Sequence, residues 1–195
     1  MSNLILASSS PYRKLLLQRL DIEFDCQSPN IDESPHPSEP PAALAKRLAL
    51  EKAWTVAHHF PEAIVIGSDQ VAELAGQVLS KPGTHQRALQ QLQAQSGHTV
   101  LFHSGLALVQ LLSDGTTRQI QLVDTTQVCF RQLDDGQIKR YLEREQPYDC
   151  AGSFKAEGLG ISLFDAVSSQ DPSSLIGLPL IGLCSALREF GVDVP

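Results

Sequence analysis

In Ala63-Ile64-Val65-Ile66-Gly67-Ser68-Asp69-Gln70, an apolar run ends in a small residue, a hydroxyl group and a carboxylate. The pattern predicts a buried strand that ends at Asp69. In α/β proteins, ligands collect at the carboxyl ends of strands, where side chains leave the sheet and enter a crevice. Asp69 is therefore either a reactive carboxylate or an ordinary residue that turns the chain. This strand alone leaves both interpretations open.

Strands and helices alternate on both sides of this stretch. Leu4 to Ala7 is a short apolar strand, and Ser10-Pro11 is typical of a helix start. Asp114-Gly115 joins two long apolar–polar alternations, as in a hairpin. Long hairpins beside helices favour an α/β fold with a mixed sheet. The other predicted elements are strands over 22–27 and 159–167, a hairpin over 71–79 that turns at Gly76, and helices over 42–59, 84–94, 134–145 and from Pro179 to about Gly191.

Composition narrows the class of protein. A chain of 195 residues with 42% apolar content predicts a single domain over residues 1–195. A formal net charge of −7 argues against a nucleic-acid-binding protein, although it leaves room for a local basic pocket. We see no signal peptide, membrane span or lipidation motif. The four cysteines are scattered, which favours reduced thiols in a cytosolic protein.

The turn after the first strand could bind an anion. Ser8-Ser9-Ser10 precedes a helix, and Arg13 lies in its first turn. Backbone N–H groups at a helix N-terminus attract anions, and a guanidinium group can bind a phosphate through two hydrogen bonds. The turn lacks the glycines of a Walker loop. An ordinary serine cap with a solvated arginine would explain the same residues.

Further charged residues occur in segments that could meet at one site. Asp32-Glu33 lies in a proline-rich loop, and carboxylates suit a divalent cation such as Mg²⁺. Glu51-Lys52 and Lys81-Pro82 offer cations for phosphate, with Glu51 placed to orient Lys52. The loop over 152–158 and the stretch Ile176-Gly177-Leu178-Pro179 could carry function. Each has a plain structural explanation, but together they indicate phosphoryl chemistry.

Seven segments, in order, resemble the Maf family of nucleoside triphosphate pyrophosphatases. The resemblance runs the length of the chain. It implies cleavage of a nucleoside triphosphate between the α and β phosphates, giving the monophosphate and diphosphate (pyrophosphate). The segments are Leu-Ala-Ser-Ser-Ser-Pro-Tyr-Arg (6–13), Ile-Asp-Glu (31–33), Glu-Lys-Ala (51–53), Gly-Ser-Asp-Gln (67–70), Ser-Lys-Pro (80–82), Ala-Gly-Ser-Phe-Lys-Ala-Glu-Gly (151–158) and Ile-Gly-Leu-Pro (176–179).

The resemblance also implies roles for individual residues. Asp69 would accept the proton of the attacking water. Glu33 and Asp69 would bind a divalent metal cation, Mg or Mn. The family implies a cytoplasmic homodimer and an elongated mixed sheet with two lobes around a cleft, similar to inosine triphosphate pyrophosphatases. The residues that would hold the triphosphate are Ser8, Arg13, Lys52 and Lys81.

Three residues bear on which nucleotide is cut. Tyr12, Gln70 and Lys155 resemble the 7-methyl-GTP branch of the family, which more often has Trp at the position of Tyr12. An aromatic face attracts the positive charge of a 7-methylguanine ring. Gln70 could bind the base edge or ribose, Lys155 a phosphate or carbonyl oxygen, and Glu157 is grouped with them as substrate-binding. The alternatives are a dTTP/UTP pyrophosphatase and a nucleotide-binding regulator of septum formation without catalysis.

Overall fold

The computed structural model describes residues 4–195, which form an α/β fold around a seven-stranded mixed sheet. The predicted fold class is confirmed. The strands run in the order β2-β1-β3-β5-β6-β7, with β4 paired to β3. Their bounds are β1 Leu4–Ala7, β2 Asp25–Cys26, β3 Ile64–Leu74, β4 Gln77–Leu79, β5 Thr99–Leu111, β6 Thr117–Phe130 and β7 Phe164–Ser168. The helices are α1 Pro11–Gln18, α2 Pro41–Ala57, α3 His85–Gln95, α4 Asp135–Glu145 and α5 Leu180–Glu189.

Helices cover both faces of the sheet at the end formed by β1 and the first residues of β3. Alternate residues of β3 point to opposite faces. Val65 packs in the apolar cluster of α2, whereas Ile64 and Ile66 pack in the cluster of α1 and α5. This end of the molecule therefore has three layers, with the sheet in the middle.

A third apolar cluster lies at the other end of β5 and β6, under α3 and α4. Its centre is Phe154, whose ring makes edge-on contacts with Phe102, Phe130 and Phe164 at centroid distances of 5.1, 5.6 and 4.9 Å. Such edge-to-face pairs are favoured by the ring quadrupole. The two ends thus have separate cores, as expected for two lobes that share one sheet.

The prediction that a strand ends at Asp69 is wrong. β3 continues to Leu74, because Asp69 to Glu73 pair with Gly105 to Leu101 of β5. The strand that ends here is β1, whose last residue Ala7 pairs with Gly67. Between Gly67, where pairing with β1 ends, and Ala72, where pairing with β4 begins, this edge of β3 has no partner strand, and the Ser8 turn lies beside it. The crevice is therefore at the carboxyl end of β1, next to the middle of β3.

Two other predicted strands are shorter than expected. The strand over 22–27 is reduced to Asp25–Cys26, and residues 159–167 divide into a 3-10 turn at Leu159–Leu163 and β7. In this turn the N–H of Gly160 donates to the Lys155 carbonyl oxygen at 3.1 Å, and a Cβ on Gly160 would be 2.3 Å from that oxygen. Pro179 precedes α5 and is its N-cap, not its first residue. Within residues 4–195, no helix is long and apolar enough to span a membrane.

The helix starts predicted at Ser10, Thr84 and Asp134 are confirmed. Each side chain accepts a hydrogen bond from the backbone three residues on, and Asp134 forms a full capping box with Gln137. These caps are local interactions, which is why the sequence alone identified them.

Helix α2 contacts the sheet through backbone atoms. A Cβ on Gly67 would be 2.0 Å from the Ala49 carbonyl oxygen, and one on Gly105 would be 2.2 Å from that of Ala45. The third contact is Ala53, whose N and Cβ would lie 2.8 and 2.9 Å from the added atom at Gly67. Alanines four residues apart lie on one helical face. Small residues on both sides therefore set the distance between helix and sheet.

Gly105→Ala should destabilise the protein by about 1–3 kcal/mol, because the added methyl group meets backbone that cannot move aside. The measurement is urea unfolding followed by circular dichroism. Gly136→Ala is the matched control, since its Cβ would meet only the ends of the Asp134 and Arg140 side chains. Equal stability of the two variants would contradict the close approach of α2.

Candidate active site

A cavity of about 580 Å³ opens where β1 ends. This volume is in the range of small-molecule sites, about 300–1,000 Å³. Segments from all parts of the chain surround it, including the Ser8 turn, α2, β3 and the loop before Phe154. The sequence-predicted site residues that line it are Ser8, Tyr12, Arg13, Glu33, Lys52, Asp69, Gln70, Lys81 and Glu157. Lys155 is not among the lining residues, although Phe154 and Ala156 on either side are.

Lys52 joins two carboxylates at the floor of the cavity. Its Nζ lies 2.5 Å from Oδ1 of Asp69 and 2.6 Å from Oε1 of Glu33. Lys52 and Asp69 are buried, at 6% and 8% exposure, whereas the Glu33 side chain is 56% exposed. A buried charge is tolerated when it is paired. The ammonium group thus holds a rigid carboxylate from β3 and a more accessible one from a loop.

Cations around Glu33 keep its carboxyl group ionised. Burial raises the pKa of Glu33, but the hydrogen bond and charge of Lys52 outweigh it, and the charges of Lys81 and Arg13 add to the effect. The net result is a lowered pKa. Lys81 follows β4 and is exposed at the rim. Three cations from separate elements therefore converge on this carboxylate.

The Ser8 turn has the geometry of an anion-binding site. Pro11 starts α1 behind the Ser10 cap. The Oγ of Ser8 accepts a hydrogen bond from the Ser10 N–H at 3.1 Å and one from Nη1 of Arg13 at 3.4 Å. The Nε of Arg13 donates to the carbonyl oxygen of Gly177 at 2.9 Å. One edge of the guanidinium is therefore engaged by protein, which fixes its orientation towards the cavity wall.

Gln70 is tied to the segment 174–177 that forms another wall. Its Nε2 lies 2.9 Å from the carbonyl oxygen of Ser174, 3.0 Å from that of Leu175 and 3.1 Å from Oγ of Ser104. An amide NH₂ group has two hydrogens, so these three acceptors use its donor capacity. Only the carbonyl oxygen of Gln70 is left for a ligand, which narrows the contact expected with a base or ribose.

The same wall is held by two buried serines. Oγ of Ser68 lies 2.8 Å from the carbonyl oxygen of Gly105 and 3.0 Å from that of Gly177, and Oγ of Ser104 donates to Ser174 at 2.7 Å. Neither serine was singled out for this role from the sequence. Their contacts span 37, 70 and 109 residues, so no local signal could reveal them.

Tyr12, Lys155, Asp149 and Cys150 form a cluster at the side of the cavity. Burial and the nearby Cys150 raise the pKa of the Tyr12 hydroxyl, with Lys155 acting in the opposite direction. Burial lowers the pKa of Lys155, but the electrostatic effects of Tyr12, Cys150 and Asp149 outweigh it, so the pKa is raised. Burial, with Asp149 next, raises the pKa of Cys150 to about 12. At neutral pH the cluster therefore holds a neutral phenol, a neutral thiol and a charged lysine.

Arg47 fixes the loop that carries Glu33. Its guanidinium donates to both oxygens of Glu39, at 2.7 and 2.8 Å, and to the Ser34 carbonyl oxygen at 3.0 Å. The third partner is Glu51, at 3.0 Å. The expectation that Glu51 orients Lys52 is therefore wrong: Glu51 and Lys52 are adjacent in α2 and point in different directions.

Asp171 organises the start of α5 and was missed in the sequence. This buried carboxylate accepts hydrogen bonds from the Ile181 N–H at 2.6 Å and the Ser173 N–H at 3.0 Å. Oγ of Ser173 also accepts a hydrogen bond from the Leu180 N–H at 2.8 Å. The sequence Asp-Pro-Ser-Ser at 171–174 is typical of a turn, but the helix that it caps begins several residues later.

The family is decided by comparison with known proteins. A family model for Maf-like proteins matches residues 3–190. The chain belongs to the Maf-like protein family. The expected family membership is thus confirmed.

Several relatives of this Maf-like chain are named 7-methyl-GTP pyrophosphatase. One from Xanthomonas axonopodis pv. citri is 56% identical over 195 residues, covering 100% of both chains. One from Polaromonas is 52% identical over 189 residues, covering 97% of this chain and 85% of the relative. One from Pseudomonas aeruginosa is 51% identical and covers 100% of both chains.

A solved structure shares the fold of this Maf-like chain. The Staphylococcus aureus Ham1 protein superimposes with a TM-score of 0.51 at 13% identity, covering 96% of this chain and 98% of that one. At this identity the likeness concerns the fold alone. It agrees with the mixed α/β sheet described above.

The Arg47–Glu39 pair predicts a pH dependence. The hydrogen bonds of Arg47 lower the pKa of Glu39 to about 2. A lowered folded-state pKa means that the pair stabilises the folded protein above the unfolded pKa, about 4.3, and that this stabilisation is lost as the pH falls towards about 2. Glu39→Gln should therefore reduce stability at pH 7, and the difference from the wild type should shrink below about pH 4.

Urea unfolding at pH 7, 5, 4 and 3 measures this difference. Glu143→Gln is the control, because Glu143 is exposed on α4. A Glu39→Gln effect that stays constant down to pH 3 would contradict the assignment.

Proposed function

We propose that this protein hydrolyses a nucleoside triphosphate between its α and β phosphates, releasing the nucleoside monophosphate and pyrophosphate, and that its substrate is 7-methyl-GTP. The observation that carries the proposal is the Lys52 pair with Asp69 and Glu33 beside the Ser8–Arg13 turn. The names of relatives 51–56% identical over the whole chain support the substrate. The protein acts as one domain, as a cytoplasmic homodimer.

Asp69 is the general base in this proposal. Its Oδ1 accepts the hydrogen bond of Lys52, so Oδ2 is the oxygen that takes a proton from water. The water oxygen then bonds to the α phosphorus. The bond from that phosphorus to the α–β bridging oxygen breaks, and pyrophosphate leaves with the electron pair. A base that is held by a strand and a buried lysine is positioned before the substrate arrives.

Ser8, Arg13, Lys52 and Lys81 bind the triphosphate. The guanidinium and the two ammonium groups offset the charge that develops on the leaving pyrophosphate, and the α1 N-terminus favours an anion at the Ser8 turn. Lys81 at the rim can follow the outer phosphates, whereas Lys52 at the floor remains beside Asp69. Binding and proton transfer are thereby divided between the rim and the floor.

Glu33 and Asp69 fit a divalent cation, Mg²⁺ or Mn²⁺. Both offer carboxylate oxygens to the same cavity, separated by one ammonium group. Residues 4–195 contain no group of three or more His, Cys, Asp or Glu side chains that could hold a metal. Two carboxylates suit Mg²⁺, which takes its other ligands from phosphates and water. When bound, the metal would neutralise phosphate charge and polarise the reacting phosphoryl group.

The nucleobase of the substrate lies against Tyr12 in this proposal. The aromatic face of Tyr12 attracts the cationic 7-methylguanine ring. The carboxylate of Glu157 at the cavity wall also favours the positive charge of that ring. Gln70 contributes its carbonyl oxygen, as its NH₂ group is engaged. Lys155 acts through a phosphate or a carbonyl oxygen of the base.

Asp69→Asn should lower kcat by about 10²- to 10⁴-fold while the fold is retained, because the amide cannot accept the proton. Pyrophosphate release in the presence of Mg²⁺ measures the rate, and circular dichroism checks the fold. Turnover like that of the wild type would refute Asp69 as the base.

Lys52→Ala and Lys81→Ala should each lower kcat/KM by at least about tenfold, through the loss of a charge-assisted contact to phosphate. Lys46→Ala is the control for Lys52, because Lys46 is an exposed lysine on the same helix. If all three variants behave alike, Lys52 and Lys81 do not bind the triphosphate.

A substrate panel of 7-methyl-GTP, GTP, dTTP and UTP tests the nucleotide. We expect the highest kcat/KM for 7-methyl-GTP, and a larger loss for this substrate than for GTP in Tyr12→Leu, which removes the aromatic face. A preference for dTTP would overturn the assignment of Tyr12 and Gln70. Nucleotide binding without pyrophosphate release, with Mg²⁺ or Mn²⁺ present, would instead favour a regulatory protein.

A further inference from the structure

A second, smaller cavity lies between α4, the turn at Leu159–Leu163 and Arg131. It has a volume of about 190 Å³ and shares no lining residue with the candidate active site. Three arginines line it: Arg131 just after β6, and Arg140 and Arg144 on α4. In a chain with a formal net charge of −7, this is a local concentration of positive charge. We call it the arginine pocket.

The arginines of this pocket are not neutralised by neighbours. None of the ion pairs found within residues 4–195 involves Arg131, Arg140 or Arg144, and no Asp or Glu lines the pocket. The nearby acids have other partners: Asp134 accepts the Gln137 N–H, and Glu145 accepts the Leu159 N–H. Arg140 and Arg144 are one turn apart, a like-charge spacing that costs helix stability. A bound anion would remove that cost.

The pocket is also partly organised. Nε of Arg131 donates to the Ser162 carbonyl oxygen at 2.9 Å, which fixes the plane of the guanidinium and leaves its terminal NH₂ groups for a ligand. Tyr141 and Leu163 are buried and give the pocket a firm base. The volume corresponds to about six water molecules. It can hold a phosphate or pyrophosphate group with some water, but not a whole nucleotide.

We propose that the arginine pocket is a binding site for a phosphoanhydride anion, separate from the site of hydrolysis. Three guanidinium groups match the several negative oxygens of such an anion, because each can donate two parallel hydrogen bonds to phosphate. Two sources supply this chemistry, namely free pyrophosphate and the phosphate tail of a nucleoside triphosphate whose nucleoside remains outside the pocket.

Residue-resolved NMR of the full ¹⁵N-labelled chain tests the proposal independently of activity. Inorganic pyrophosphate is added with EDTA present, and an α,β-methylene nucleoside triphosphate forms a second arm. We expect saturable shifts of the Ser162 and Leu163 amides and of the Arg131 Nε–H, and weaker binding at higher ionic strength. The arm that saturates at the lower concentration identifies the source.

Paired variants separate this pocket from the main cavity. Arg140→Gln with Arg144→Gln should weaken these shifts by at least about tenfold in affinity, while shifts around Ser8 and Arg13 persist. Lys139→Gln, on the same helix outside the pocket, should leave both sets unchanged. Shifts confined to the main cavity, shifts that do not saturate, or equal shifts with sodium chloride at matched ionic strength would overturn the proposal.

Discussion

The backbone contact between α2 and the sheet determines where the chemistry can occur. Gly67 and Gly105 lie on the neighbouring strands β3 and β5, two residues out of register, and the alanine face of α2 rests on them. Side chains larger than hydrogen at these glycines would push the helix outwards. Lys52, one residue before Ala53 on that helix, would then lose its 2.5 Å contact with Asp69. The Lys52–Asp69 ion pair therefore depends on a glycine at position 67, two residues before Asp69 in β3.

The walls of the cavity are held differently from its floor. The floor comes from β3 and α2, which belong to an apolar core. Ile31, Leu175 and Ile176 pack against the apolar clusters, and hydrogen bonds from Arg47, Arg13 and Gln70 hold the backbone of the Glu33 loop and of segment 174–177. Such bonds are directional, so they hold these segments in a defined orientation around Asp69.

The sequence was sufficient for the parts of the fold that are set locally. Helix caps at Ser10, Thr84 and Asp134 depend on residues three apart, and the strand apolarity of 64–66 depends on burial alone. The course of β3 through Asp69 could not be inferred, because it depends on pairing with β5, more than 30 residues later. The hydrogen-bond partners of Gln70 and Arg47 could not be inferred for the same reason, because they are set by how loops fold over the sheet.

Most predicted site residues line one cavity because the family motifs carried information about distant parts of the chain. Lys155 is the exception, since it lies beside Tyr12 and does not line the cavity itself. A motif identifies that a residue matters, but the direction of its side chain depends on the turn around it. Here Gly160 packs against the Lys155 backbone and sets that turn.

The charge distribution around the cavity has a consequence for how a polyphosphate reaches it. At the end of the cavity that holds the Ser8 turn, Lys52, Arg13 and Lys81 exceed Asp69 and Glu33 by one positive charge, although Asp149 and Glu157 also line the cavity and the whole chain carries −7. An incoming polyanion is thus repelled at long range and attracted only within about 10 Å, the screening length at 0.1 M salt. Dilute buffers should slow its encounter with the protein, and physiological ionic strength should favour capture by screening the distant repulsion first.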